Sequence, residues 1–146
     1  MMRYLRKIFV FAFFVGFFLA PSAFADDEII DIKEKMFVTQ TNDVYVNPDE
    51  YMGRTIRLEG ILGVIDDVDP ICYFVYRFGP GCCGYDSNAG FEVVWHNENA
   101  TYPSDNDWVE ATGVLESYED EGEPFIRLSL KSLIVKAERG KERVEQ

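Results

Sequence analysis

The stretch Thr55-Ile56-Arg57-Leu58-Glu59-Gly60-Ile61-Leu62-Gly63-Val64 decides the fold. Ile56, Leu58 and Leu62 alternate with Arg57 and Glu59, the period of two that buries one face of a strand and wets the other. Gly60 and Gly63 interrupt the run, and glycines inside a strand predict a bend.

Working outward, further strands follow at regular intervals. Residues 71–78 form a β-prone run rich in aromatics, residues 91–96 form another, and residues 108–117 alternate again through Val109, Ala111 and Gly113. The glycine-bearing acidic turn 118–123 then predicts a hairpin with residues 125–136. Five strands, the first bent by glycines, predict an all-β fold: a small five-stranded OB-like barrel over residues 51–136, with an open β-sandwich as the alternative. Residues 26–50 read as a lead-in. Within it, 26–35 is a short helix or flexible segment, 36–46 carries the alternating Val44-Tyr45-Val46, and Asn47-Pro48-Asp49 is a turn signal. The charged tail 137–146 is expected to be frayed or helical.

Residues 1–25 read as an export signal helix. Arg3, Arg6 and Lys7 precede a 13-residue apolar run, and Ala23-Phe24-Ala25 is a small-x-small cleavage site. That run is shorter than the roughly 20 residues a spanning helix needs, so no membrane span is expected after cleavage. The expected location is extracytoplasmic: periplasmic, cell-envelope or secreted.

All 26 acidic residues follow Ala25, against eleven basic ones, so the chain after the signal carries −15. Such a charge repels phosphate backbones and argues against nucleic acid as a partner. It favours cations or basic partners.

The remaining signal is a glycine-rich turn, Gly79-Pro80-Gly81-Cys82-Cys83-Gly84-Tyr85-Asp86. Adjacent α-carbons lie about 3.8 Å apart, less than the roughly 4.4–6.8 Å of a relaxed disulfide, so the vicinal pair is not an ordinary clamp. Gly81 and Gly84 permit the sharp reversal that lets Cys82 and Cys83 reach one ion. Asp86 adds an oxygen, and zinc or copper is the matching ion. Cys72, His96 and Arg77 are further candidates. Hairpin pairing of 71–78 with 91–96, however, places His96 about 20 Å from the turn and Cys72 beside His96. A thiol/disulfide switch at the pair is the second reading, and a protein-binding scaffold with structural cysteines the third. The switch needs positive charge to lower a thiol pKa, and only Arg77 is close in sequence.

These residues carry a family resemblance. The segments 36–38 and 47–60, Arg77 with Cys82-Cys83-x-x-Asp86, Trp95, and Asn106-Asp107-Trp108-Val109 with Gly113 resemble the C-terminal extracytoplasmic domain of YcgQ-type proteins. Those proteins are subunits of a two-component bacterial permease, and the likeness spans roughly residues 29–136. It implies a permease or another envelope protein as partner. Family members carry membrane helices ahead of this domain, so the chain reads as a stand-alone exported version.

Weaker motifs complete the survey. Asp66-Asp67-x-Asp69 lacks the glycine and terminal glutamate of a calcium loop. Tyr73, Phe74, Tyr76, Phe78 and Tyr85 suggest a stacking platform for single strands, but the charge favours barrel-wall packing. No G-x-S-x-G occurs and His96 is the sole histidine, so no enzyme is expected.

Overall fold

The computed structural model describes residues 28–81 and 86–145. Residues 1–25, which read as an export signal, and Cys82, Cys83 and Tyr85 lie outside the described residues. The chain runs β1 (Ile30–Ile32), a 3-10 turn (Glu34–Met36), α1 (Phe37–Val46), α2 (Pro48–Tyr51), β2 (Thr55–Ile65), β3 (Cys72–Pro80), β4 (Asp86–Val94), β5 (Trp108–Asp120) and β6 (Glu123–Val135). No helix among the described residues is long and apolar enough to cross a membrane.

Strands β2 to β6 close on themselves in the order β2-β3-β4-β6-β5, with β5 returning to β2. This is the five-stranded OB-like barrel that the alternation predicts. Closure depends on β2 serving two partners in succession. Its first half, Thr55 to Ile61, pairs with β5, and its second half, Ile61 to Ile65, pairs with β3. The exchange occurs beside Gly60, where a Cβ would stand 2.6 Å from the Tyr76 carbonyl oxygen. Only glycine admits that approach.

Alternation fills the interior. Ile56, Leu58 and Leu62 of β2, Val75 of β3, Phe91 and Val93 of β4, Val109, Ala111 and Leu115 of β5, and Leu128 of β6 are buried. Each set is spaced at even intervals along its strand, so every strand turns one face to a shared core.

The segment ahead of the barrel is structural. Ile32 of β1, which pairs in parallel with β2, joins Phe37 and Val44 in the same core. Val44-Tyr45-Val46 is the end of a helix, not an extended stretch. The buried positions Phe37, Thr41 and Val44 fall at i, i+4 and i+7, the helical stripe, and Thr41 Oγ1 donates to the Phe37 carbonyl at 2.6 Å. Strand β4 meets β6 only at Val93 and Val94. Below that, α1 lies against β4: Tyr45 stacks on Phe91 with ring centroids 5.4 Å apart and donates its hydroxyl to the Gly90 carbonyl at 3.0 Å.

The tail is neither frayed nor helical where it meets β3. Phe78 N–H donates to the Glu142 carbonyl and Val144 N–H donates to the Phe78 carbonyl, both at 2.8 Å, and Val144 is buried. Backbone donors left free on β3 explain the docking.

Replacing Gly60 with alanine is expected to force β2 away from β3 and to cost roughly 2–3 kcal/mol. Urea unfolding checks this, and an unchanged midpoint would count against the partner exchange at Gly60.

Candidate functional site

The β3–β4 ladder organises every residue singled out by sequence. It runs without a break from Tyr73↔Val93 to Pro80↔Asp86, leaving residues 81–85 as the connection. Cys82 and Cys83 belong to that connection, outside the described residues. Asp86 closes the ladder at this end. Cys72 opens it at the other, eight residues and about 26 Å away at strand rise. Cys72 is a free thiol, and His96, two residues past β4, stands at that same far end. Neither joins Asp86, and no group of three metal-ligating side chains occurs among the described residues.

Asp86 is already engaged. Its carboxylate accepts both terminal nitrogens of Arg143 in a forked ion pair, a match of planar groups that fixes direction as well as charge. The hydrogen bond from Arg143 holds the Asp86 carboxyl below its ordinary value of 3.8. Sequence reasoning missed Arg143 because 57 residues separate the partners. Only the docking of the tail on Phe78 unites them.

Arg77 has a different role from a helper of the thiols. Its side chain points inward and is 4% exposed. The guanidinium lies between the rings of Phe37 and Trp108, 4.9 and 4.8 Å from their centroids. Its Nε donates to the Glu59 carbonyl at 2.7 Å, and Nη1 donates to the Lys141 carbonyl at 3.2 Å and sits 3.6 Å from the Glu34 carboxylate. Burial pushes its pKa down, and Glu34 and Glu59 oppose that. The charge is taken up inside the barrel end by these partners.

At the far end, His96 Nε2 lies 3.0 Å from Glu116, which also accepts from Arg127 Nε at 2.8 Å. Cys72 lies on the outer face, where burial first and then Glu92 and Asp120 push its thiol pKa up. That environment is the opposite of one that activates a thiol. The aromatic run divides by parity. Phe74, Tyr76 and Phe78 stand on the face opposite buried Val75 and Arg77, while Tyr73 stacks on Tyr102 at 3.5 Å between centroids.

Residues 20–139 match the family profile of the DUF1980 C-terminal domain, most of the chain, and the protein belongs to that family. A search of curated proteins returns no match.

The Arg77 cluster and the Asp86–Arg143 pair each set expected outcomes. Arg77→Met, which keeps the bulk and removes the charge, is expected to lose roughly 2–4 kcal/mol in chemical denaturation. Glu34→Gln, at an exposed carboxylate, is expected to lose about 1 kcal/mol or less. Because Arg143 lowers the folded pKa of Asp86, the pair contributes fully above the ordinary value of 3.8 and fades as pH falls through the lower folded one. The protection of the Val144 amide against hydrogen exchange, measured relative to its intrinsic rate at each pH, should therefore fall as pH drops below about 3.8, and in Asp86→Asn should be reduced already at neutral pH.

Proposed function

We propose that this family member is an exported, non-catalytic binding or accessory module of the cell envelope, serving a permease or a neighbouring envelope protein. Its specific ligand is a soft metal ion, zinc or copper, taken by Cys82 and Cys83. The reading is supported by one observation above others. The ladder closes at Pro80↔Asp86, so both sulfurs are carried on a five-residue connection mounted on a rigid two-stranded base. Two adjacent thiolates at such a reversal suit an ion that prefers sulfur.

Asp86 enters this site conditionally. Its oxygens are held by Arg143, so it binds metal only by exchanging that partner. Cys72 and His96, at the other end of the ladder, take no part. A thiol switch is less well served. Arg77 and Arg143, the cations nearest the pair in sequence or at its base, are each matched by a carboxylate, which leaves no surplus positive charge to lower a thiol pKa.

Reduced protein should take up one zinc or cuprous ion per chain, followed by metal analysis and thiol titration. Cys82→Ser with Cys83→Ser should abolish uptake, and Cys72→Ser should leave it intact. Arg143→Ala, which frees the Asp86 carboxylate, should tighten zinc binding. Undiminished uptake by the double serine variant would sink the proposal.

A further inference from the structure

A cleft of about 790 Å³ opens on the outer face of the barrel, at the far end of the ladder from the cysteine connection. Its floor is Phe74 and Glu92 with Cys72, one wall is the α1–α2 corner with Tyr45 and Met52, and the other is the β5–β6 tip with Tyr118 and Phe125. Three of these, Tyr45, Met52 and Phe125, are large side chains at least 37% exposed. Aromatic and apolar groups left open around a concavity mark a surface that something else covers.

The charged groups lining the cleft are of one sign. Glu92 and Asp49 contribute carboxylates, and no lysine or arginine lines it. Arg127 lies over the Tyr118 ring at 4.3 Å and is taken up by Glu116 at 2.8 Å and Glu92 at 3.8 Å. The Tyr118 hydroxyl donates to Glu92, fixing ring and carboxylate together. Burial, followed by that bond, pushes the phenol pKa far up, so Tyr118 remains a neutral donor. The β5–β6 hairpin tip, next in sequence to the lining residues Tyr118 and Pro124, carries Glu119, Asp120, Glu121 and Glu123.

We infer that this cleft is a docking site for a short basic and apolar peptide segment of a partner protein. Ring faces and carboxylates together attract ammonium and guanidinium groups, and the exposed apolar groups accept the side chains between them. The net charge of −15 after residue 25 adds long-range attraction for such a segment and repels anionic ones. The volume exceeds that of a single side chain and suits several residues of chain. OB-type barrels bind ligands on this same pair of strands, and here the lining selects cationic chemistry. The site is independent of the cysteine connection.

Cys72 provides a reporter. A hexapeptide alternating lysine with leucine should bind the intact exported chain in calorimetry and slow alkylation of Cys72, read by peptide-resolved mass spectrometry. Raising salt should weaken it. Asp49→Asn and Phe74→Ala should each reduce affinity about tenfold, equivalent to about 1.4 kcal/mol, with circular dichroism unchanged. The same peptide with glutamate in place of lysine should not bind. Equal binding of the acidic peptide, or affinity indifferent to both substitutions, would overturn the inference. Binding of spermidine as tightly as the peptide would overturn it too, by reassigning the cleft to a small polyamine. Loss of metal uptake in Cys82→Ser with Cys83→Ser should leave peptide binding unaltered.

Discussion

The arrangement at Arg77 is the constraint on which the rest of the structure depends. One guanidinium, inside a barrel end, touches β2 through the Glu59 carbonyl, β5 through Trp108, α1 through Phe37 and the tail through the Lys141 carbonyl. A buried cation without partners is expensive in a medium of low polarity. Every element that supplies a carbonyl, a ring face or a carboxylate is therefore drawn to the same point. The entry segment and the tail, which lie far apart in sequence, are fixed there together. An apolar side chain fills space equally well but makes no directional demand, so it does not specify where the tail must lie.

Much of this was legible in the sequence, for a clear reason. Strands of a closed barrel carry a period of two, and Ile56, Leu58 and Leu62, or Val109, Ala111 and Leu115, display it without any knowledge of partners. The close approach at Gly60 left a readable mark because a missing Cβ in a strand is itself a signal. The helix at 37–46 was obscured because Val44-Tyr45-Val46 alternates locally. The longer spacing of Phe37, Thr41 and Val44 carries the true period, and the polar Thr41 hides it. Arg77 reads as a neighbour of the cysteine turn, since nothing around it in sequence announces two rings from distant segments. The tail was unreadable because a contact between main-chain groups leaves no mark on side-chain identity.

The candidate sites differ in legibility in the same way. The vicinal cysteines announce themselves by adjacency. The cleft is assembled from α1, α2, β3, β4, β5 and β6, each giving one to three residues with no motif among them. The two lie at opposite ends of one continuous ladder. A rigid element that carries two binding surfaces holds them at a fixed separation, so a partner gripping one presents its neighbourhood to the other. For the accessory module proposed above, that geometry would align a guest at one end with a partner at the other.

The placement of the tail has a consequence for the solubility of the molecule. Strand β3 loses β2 as a neighbour after Tyr76, and its last residues would present open main-chain donors and acceptors along a rim. Residues 142–144 occupy that rim through Phe78. Chains with exposed strand margins self-associate by adding copies side by side. Residues 142–144 thus cover a strand margin that would otherwise lie open to a second chain.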